Sequence, residues 1–255
     1  MDSSFMYVKE KHMSDEKLVV CMGKGSQKDA AEALARRVHA PLSDQPGKNL
    51  TLLIDGSGIS LNGYGLSYRG DFETMLHRIT DGRLQHEMLV RAAKTKEPNP
   101  TAIDATAGMG EDSLLLAACG YEVTLYEQNP VIAALLKDSI RRAKKHPVLG
   151  EIVNRMHLVE GNSIEGMAQR MEVPDLIYLD PMFPARQKSG LINKKLQLIQ
   201  KLEHPCLQEE LLLKTAMDLH PKKIIVKRPL KGKNLAGKTP GYTIKGKAIR
   251  YDCFV

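Results

Sequence analysis

The chain has 255 residues, and 37 Lys and Arg against 30 Asp and Glu give it a formal net charge of +7 at pH 7. Its 42% hydrophobic and 26% charged residues are ordinary for a globular protein and exclude a disordered or collagen-like chain. No apolar run approaches the roughly 18 residues of a membrane helix. Residues 1–16 mix both charges, which predicts a flexible tail and not a signal peptide. We therefore expect a cytoplasmic protein with no membrane partner.

The positive charge is concentrated in the last quarter of the chain. Residues 185–255 hold 16 Lys and Arg against 5 Asp and Glu, a balance of +11, whereas residues 1–184 hold 21 against 25, a balance of −4. Charge gathered in this way indicates a basic face for a polyanion such as a nucleic acid. A solvated lysine-rich surface would give the same count.

The first 98 residues predict a small α/β unit over residues 17–62, followed by a connecting segment. The predicted strands of this unit are Lys17–Met22, Leu50–Asp55 and Ile59–Leu61. Its predicted amphipathic helix is Gln27–His39. Residues 63–98 are rich in Gly, Tyr and Arg, which is typical of a linker or binding loop, and contain one predicted helix, Leu84–Lys94.

Strands and helices alternate from residue 99 to residue 255. The predicted strands are Thr101–Ala105, Glu122–Tyr126, His157–Glu160, Leu176–Leu179 and Lys223–Val226, with a closing hairpin of Tyr242–Ile244 and Ile249–Phe254. The predicted helices are Glu111–Cys119, Asn129–Lys145, Ser163–Met171, Leu191–Leu202 and Gln208–Leu219. Repeated strand–helix units imply a parallel sheet with helices on both faces, and the hairpin adds an antiparallel edge.

A glycine-rich turn follows the first strand of this region. The segment Asp104-Ala-Thr-Ala-Gly108-Met-Gly110 leads from a strand into a helix, and its glycines let the backbone turn tightly and approach a ligand. An NAD fingerprint requires Gly or Ala three residues after Gly110, where this chain has Ser113. A carboxylate at Asp104 would repel a pyrophosphate but suits a cation. The pattern therefore favours the sulfonium cofactor S-adenosylmethionine.

Further candidate cofactor contacts follow the next two strands. Glu127 lies where an acid can accept hydrogen bonds from ribose hydroxyls, unless it is a helix-start carboxylate that interacts with the helix dipole. The segment Gly161-Asn162-Ser163 ends the third strand. Small polar side chains there can contact an adenine edge, although Asn-Ser is also an ordinary helix cap.

The reaction is indicated by the strand Leu176–Leu179, which is followed by Asp180-Pro-Met-Phe183-Pro. An aspartate at the carboxyl end of a central strand points into the ligand crevice of an open α/β sheet. A carboxylate there can accept an N–H from the exocyclic amine of a base and so restore the nucleophilic lone pair, while Phe183 stacks on the base. Asp180 and Phe183 are therefore the candidate catalytic residues, against the alternative of a strand-ending Asp-Pro turn.

Cysteine chemistry is a rival interpretation of this region. Pro205-Cys206 would suggest a cytosine-C5 methyltransferase, but the cysteine of such an enzyme should follow the Leu176–Leu179 strand, where this chain has Asp180. The four cysteines also lack C-x-x-C spacing, so we expect no metal.

Four segments in this order, DATAGMGEDSLLLA, LYEQNPVIAALL, LDPMFPARQKS and IIVKRP, resemble the RsmJ family of S-adenosylmethionine-dependent guanine-N2 methyltransferases. These enzymes act on 16S ribosomal RNA of the bacterial small subunit. The likeness covers residues 99–255 and is weak before Gly63. It implies a class I methyltransferase, which is a Rossmann-like α/β fold with a mostly parallel seven-stranded sheet and a C-terminal antiparallel hairpin. It also implies 16S rRNA or the small ribosomal subunit as the partner.

The resemblance further implies a set of cofactor contacts. Together with Asp104, Gly108 and Gly110 these are Glu111, Asp112, Glu127, Gln128, Asn162, Ser163 and Asp180. The chain departs from the family at Glu111 and Gln128, where Arg is usual, and at Asn162, where Ser is usual. Charge and position add four expected RNA contacts, namely Arg186, Lys188, Lys227 and Arg228.

Two other functions stay open at this point. An adenine-N6 methyltransferase acting on RNA or DNA would use the same aspartate chemistry, which serves any planar exocyclic amine. A non-catalytic RNA-binding module could also occupy a methyltransferase scaffold, because fold does not fix function; weak cofactor binding would distinguish it. The sequence does not determine the oligomeric state, and a monomer is the simplest expectation.

Overall fold

The computed structural model describes residues 18–80, 82–181, 198–199, 202 and 208–255. Its N-terminal part is a five-stranded sheet of order β2-β1-β3-β4-β5. The strands are β1 Leu18–Met22, β2 Leu42–Ser43, β3 Leu50–Asp55, β4 Gly58–Gly63 and β5 Leu66–Tyr68, and helix α1 is Lys28–Arg37. The strands β1, β2 and β3 are parallel, and β4 and β5 complete the sheet as antiparallel hairpins. The strand β5 extends this sheet past the predicted boundary at residue 62.

The segment that was predicted as a linker with one helix is a chain of short helical turns. They are two 3-10 turns, Phe72–Met75 and Leu84–His86, and two α-helices, α2 Leu76–Ile79 and α3 Met88–Ala92. The predicted helix over Leu84–Lys94 is therefore shorter and begins with a 3-10 turn. Apolar side chains of this segment, including Phe72 and Leu89, are buried in the core of the following domain. Their burial explains why the segment has a fixed place on the sheet.

The second sheet has seven strands in the order β11-β12-β10-β9-β6-β7-β8. The strands are β6 Thr101–Asp104, β7 Glu122–Glu127, β8 Met156–Glu160, β9 Leu176–Leu179, β10 Lys223–Pro229, β11 Tyr242–Lys245 and β12 Ile249–Phe254. The strands β6 to β10 are mutually parallel, whereas β12 pairs antiparallel with both β10 and β11. This topology confirms the predicted mostly parallel sheet with an antiparallel edge.

The helices of this domain follow the predicted alternation. They are α4 Glu111–Ala118, α5 Pro130–Ala143, α6 Leu149–Val153, α7 Ser163–Ala168 and α8 Glu209–Asp218. Helix α6 was not predicted because its five residues are too few for an apolar period to be recognised. The predicted helix Leu191–Leu202 lies almost entirely outside the described residues.

Helix α5 packs between the two sheets. Val131, Ile132 and Leu135 belong to one apolar cluster with Leu52 and Leu61 of the N-terminal sheet. Leu136, Ile140 and Ala143 of the same helix belong to the core of the seven-stranded sheet. A helix that is apolar on most of its circumference requires burial on two sides, and the two sheets provide it.

Candidate active site

The predicted site residues meet at one edge of the seven-stranded sheet. The chain passes from β6 to β7 on one side and later returns to β9 on the other side of β6, so the strand order reverses between β6 and β9. Open α/β sheets bind ligands in the crevice outside the carboxyl ends of the strands at such a reversal. Asp104, Glu127 and Asp180 stand at the carboxyl ends of β6, β7 and β9.

The turn between β6 and α4 depends on its glycines. Gly108 and Gly110 have φ angles of 53° and 76°, a left-handed conformation that costs glycine little. A Cβ at Gly110 would lie 2.6 Å from Cδ1 of Leu136 and 3.3 Å from Cζ of Phe72. Any other residue at 110 would therefore strain the backbone and collide with the core.

Glu127 joins the turn to the neighbouring strand ends. One carboxylate oxygen accepts a hydrogen bond from the Gly108 N–H at 3.0 Å, and the other accepts one from the Asn129 N–H at 2.7 Å. The Glu127 carbonyl accepts the Gly161 N–H at 2.9 Å. A carboxylate has about four lone-pair sites, and the acceptance of ribose hydroxyls by Glu127 stays a prediction.

Asp104 lies beneath the turn and is only 1% exposed. One of its oxygens accepts the Thr106 N–H at 3.0 Å, and the other accepts the Ser113 hydroxyl at 2.5 Å. Burial raises the pKa of Asp104 to about 7, against the opposing effect of these hydrogen bonds. Its contacts give Asp104 a part in shaping the turn, and a direct contact with the cofactor stays a prediction.

The remaining predicted cofactor residues differ in exposure and in their present partners. Glu111 and Gln128 are exposed, and Ser163 is half-buried at the first position of α7. The Asn162 side chain caps α7, because its Oδ1 accepts the Ile164 N–H at 2.8 Å. The cap uses one of the two lone pairs of this oxygen, so its second lone pair and the amide nitrogen are left to face an adenine.

A compact polar cluster forms at the end of β9. The Nζ of Lys227 lies 2.8 Å from Oδ2 of Asp112 and 2.9 Å from Oδ2 of Asp180. The Tyr178 hydroxyl donates to the same Asp112 oxygen at 2.6 Å, and the Asp180 N–H donates to the Thr106 hydroxyl at 2.7 Å. One lysine thus links a carboxylate of α4 to the predicted catalytic aspartate.

Strand register explains why these groups meet. Leu179 of β9 pairs with Val226 of β10, so the next residues along, Asp180 and Lys227, are neighbours. Lys227 in turn pairs with Tyr251 of β12. Because side chains alternate along a strand, Tyr178 and Asp180 share one face of the sheet.

The cluster shifts the ionisation of its members. Burial raises the pKa of Asp180, and the Lys227 ammonium opposes that rise. Burial acts to lower the pKa of Lys227, but Asp112 and Asp180 outweigh it, so this pKa lies above its usual value. The lysine therefore stays protonated and favours the ionised form of Asp180.

The expected RNA contacts at Lys227 and Arg228 need correction. The strand β10 continues to Pro229, three residues beyond its predicted end, so these two side chains lie on opposite faces of the sheet. Lys227 is bonded to two carboxylates. Arg228 is 4% exposed and donates to the Lys233 carbonyl at 2.8 Å and to Glu209 at 3.3 Å. Neither presents its charge to an RNA phosphate, so neither is kept as an RNA contact.

Three predicted residues, Phe183, Arg186 and Lys188, lie outside the described residues and stay predictions. Tyr178 and the role of Lys227 as a partner of carboxylates were not predicted from the sequence. A signal for Tyr178 was present, because it stands two residues before Asp180 in a strand and so must share its face. Lys227 gave no such signal, since its partner Asp112 is 115 residues away in the sequence.

Comparison with known proteins identifies the family. Residues 43–255 match the family described as "Putative SAM-dependent methyltransferase". The chain belongs to this methyltransferase family. The protein named ribosomal RNA small subunit methyltransferase J from Thioalkalivibrio sulfidiphilus is 37% identical over 253 residues, covering 95% of this chain and 99% of the relative. Its namesake from Pseudomonas aeruginosa is 37% identical over 234 residues, covering 89% and 90%.

A solved structure agrees with this assignment. The crystal structure of a SAM-dependent methyltransferase from Neisseria gonorrhoeae is 31% identical, has a TM-score of 0.73, and covers 93% of this chain and 95% of that one. The predicted fold class, the resemblance to the RsmJ family and S-adenosylmethionine as the cofactor are therefore confirmed.

The part of the chain that the structure describes contains neither a candidate membrane span nor a candidate metal cluster. Among those residues, no helix is long and apolar enough to cross a membrane. Within the same residues, no group of three or more His, Cys, Asp or Glu side chains is arranged to hold a metal ion.

Proposed function

We propose that this methyltransferase acts in the cytoplasm and transfers a methyl group from S-adenosylmethionine to the exocyclic N2 of a guanine in 16S ribosomal RNA. The RNA substrate is supported by the name of the two relatives described above, ribosomal RNA small subunit methyltransferase J. The choice of guanine N2 rests on the RsmJ-like LDPMFP motif. The observation that carries the proposal is the Asp180 carboxylate, which Lys227 holds at the strand-order reversal.

The residues at the ends of β6, β7 and β8 fit the cofactor. Gly108 and Gly110 carry no side chain, so the backbone of the turn can approach a ligand closely. Glu127, at the end of β7, would accept the ribose hydroxyls, and Ser163 and Asn162, at the start of α7, would contact the adenine. When bound, S-adenosylmethionine supplies an activated methyl group on a sulfonium. The protein supplies the position and the electrostatic setting.

Asp180 would activate the nucleophile. The lone pair of an exocyclic amine is delocalised into the ring, which makes the amine a poor nucleophile. Asp180 Oδ2 is bonded to Lys227, and Oδ1 accepts an N–H of the amine and draws the nitrogen towards tetrahedral geometry. The same oxygen holds the proton that the amine releases. Most of the acceleration comes from holding the reacting atoms in line.

Lys227 and Asp112 would act through Asp180. Lys227 fixes the carboxylate by a charge-assisted bond of 2.9 Å, which favours one side-chain conformation. Asp112 holds the lysine at 2.8 Å from the other side and is itself fixed by the Tyr178 hydroxyl. We therefore treat Lys227, Asp112 and Tyr178 as positioning residues.

The test is methyl transfer followed by analysis of the product. The purified protein is incubated with labelled S-adenosylmethionine and either 16S rRNA or small subunits that lack the modification, and the RNA is digested to nucleosides. We expect one N2-methylguanosine per RNA molecule. N6-methyladenosine would show that the chain is an adenine methyltransferase, and weak cofactor binding together with no transfer to either substrate would support a non-catalytic module.

The role of Asp180 is tested in single turnover at saturating cofactor and RNA. Asp180→Asn loses the charge, and we expect a rate about 100-fold lower, as for the loss of an oriented electrostatic partner. Asp218→Asn is the matched control, because Asp218 is an exposed aspartate at the end of α8. A near-normal rate for Asp180→Asn would refute the proposed catalytic role of Asp180.

A further inference from the structure

A second cleft adjoins the candidate active site. It has a volume of about 540 Å³ and lies between the helical segment 72–92 and strand β12. The residues that line it are His77, Arg78, Arg83, His86, Glu87, Met88, Ile249 and Tyr251. None of the expected RNA contacts lies in this cleft, and its charge comes mainly from a part of the chain that was predicted as a linker.

The inner end of the cleft lies close to the Asp180 cluster. Tyr251, which lines the cleft, is 4% exposed. Its ring centroid is 6.4 Å from that of Tyr178, whose hydroxyl is bonded to Asp112. Tyr251 is also the β12 residue that pairs with Lys227. The Tyr251 and Tyr178 rings therefore connect the cleft to the Asp180 cluster.

The cleft has more positively charged than negatively charged side chains, because Arg78 and Arg83 line it with one carboxylate, Glu87. Glu87 forms a bidentate ion pair with Arg78, in which Nε donates to Oε1 at 2.8 Å and Nη2 donates to Oε2 at 2.6 Å. Arg83, His77 and His86 are exposed. Among the described residues, no carboxylate lies within ion-pair distance of Arg83. The exposed Arg83 guanidinium can therefore pair with an anionic ligand, whereas Nδ1 of His77 is bonded to the Thr74 carbonyl at 2.7 Å.

The hairpin between β11 and β12 adds positive charge at the rim. A Cβ at Gly246 would lie 2.6 Å from the sulfur of Met88, so the hairpin tip contacts a cleft residue directly. Lys245 and Lys247 flank this glycine, and both are exposed. Within the described part of the chain, neither forms an ion pair with a carboxylate.

We propose that this cleft binds the RNA strand next to the target base. The inference rests on the proposed function, because it takes RNA as the substrate. Arg83, Lys245 and Lys247 would bind phosphates, which supply most of the affinity for nucleic acids. His77 and His86 would contact unpaired bases, since single-stranded RNA is recognised by stacking and by hydrogen bonds to base edges.

The test compares two triple variants with the same change in net charge. In the first, Arg83, Lys245 and Lys247 are each replaced by Gln. In the second, Lys28, Arg36 and Lys214 are replaced by Gln; these residues are exposed on α1 and α8, away from the cleft. Affinity for a 16S rRNA fragment is measured by fluorescence anisotropy at several salt concentrations, and S-adenosylmethionine affinity is measured by calorimetry.

We expect the cleft variant to bind RNA at least tenfold more weakly than the control variant at moderate salt. Its slope of log affinity against log salt should fall by about 2, because each phosphate contact to a single strand contributes about 0.7. Its cofactor affinity should not change. Equal affinities and slopes for the two variants would overturn the cleft proposal. Methylation of RNA by the unmodified protein is the separate test of the proposed function, so the two failures are distinguishable.

Discussion

Asp104 is a carboxyl group whose environment opposes its ionisation. Its pKa of about 7 in the folded protein compares with about 3.9 in an unfolded chain. The folded state therefore binds the proton more tightly. The resulting stability is fully present below about pH 4 and is lost as the pH rises to about 7, by up to roughly 4 kcal/mol. Near neutral pH the protein thus carries a strained residue beneath its cofactor turn.

Replacing Asp104 with Asn should remove this pH dependence. An amide imitates the protonated carboxyl: its oxygen accepts the Thr106 N–H, and its NH₂ donates to Ser113. We expect the stability of Asp104→Asn relative to the unmodified protein to improve steadily between pH 4.5 and pH 7.5. Urea unfolding at a series of pH values measures this difference. Two stability curves that run parallel over that range would show that Asp104 is already ionised throughout.

Lys227 should control the acid side of the pH–rate profile. Asp180 must be ionised to accept the amine proton, so the rate falls as the pH drops through its pKa. Without the lysine charge, burial raises the pKa of Asp180 further. In Lys227→Met the acid limb should therefore move to higher pH, by about one unit or more. Single-turnover rates measured from pH 5 to pH 9 define the acid limb, and Lys231→Met, at an exposed lysine, is the control. An acid limb at the same pH in Lys227→Met and in the unmodified protein would show that Lys227 does not affect the ionisation of Asp180.

At the scale of elements, strands and helices with a clear apolar pattern were predicted well. The end of β10 and the short helical turns were not. The strand Leu176–Leu179 has the predicted ends, because a short apolar run stops at an Asp-Pro pair. The predicted end of β10 was Val226, and Lys227 and Arg228 beyond it were expected to contact RNA because of their charge and position. Their burial comes from partners that only tertiary structure provides, such as Glu209 for Arg228. The turns between residues 72 and 92 have too few residues each to show a period.

The glycine-rich turn between β6 and α4 could be predicted in more detail than the polar cluster around Asp180 and Lys227. Asp104, Gly108 and Gly110 lie within seven consecutive residues, so spacing alone predicts their proximity. The cluster around Lys227 combines residues of α4, β9 and β10, and its contacts depend on which strands are neighbours. A single sequence gives strand order only when the fold is recognised.

One buried carboxylate contributes to the attachment of α5 to the N-terminal sheet, beside the apolar cluster. Asp138 is 5% exposed and accepts the Ile59 N–H at 3.0 Å and the Arg142 Nε–H at 2.8 Å. Asp138→Ala leaves both donors without this partner, and we expect a loss of about 3 kcal/mol in the free energy of unfolding. Denaturant midpoints measure the effect, with Asp29→Ala on the exposed face of α1 as the control. Equal losses in the two variants would show that the contact is not important for stability.

At the scale of the whole molecule, the charge count along the chain did not predict the charged surface. The balance of +11 over residues 185–255 includes Lys227, Arg228 and Arg250, whose charges are satisfied inside the protein. Arg250 also donates to the carbonyls of Pro229, Leu230 and Gly232. The cleft instead combines Arg83 of the N-terminal half with Lys245 and Lys247. A basic face is a property of the fold, because folding decides which charges reach the solvent.

The two sheets should unfold as one unit, because α5 contributes to the core of both. Leu52 is fully buried in the cluster that includes Val131, Ile132 and Leu135, and Leu136 of the same helix contacts the position of Gly110. Leu52→Ala should cost about 2–5 kcal/mol. We expect the loss to appear equally in circular dichroism and in cofactor binding during urea unfolding, since coincident transitions indicate a single cooperative unit. Cofactor binding that persists after an early transition would instead show that the N-terminal sheet unfolds independently, as the predicted boundary near residue 62 would allow.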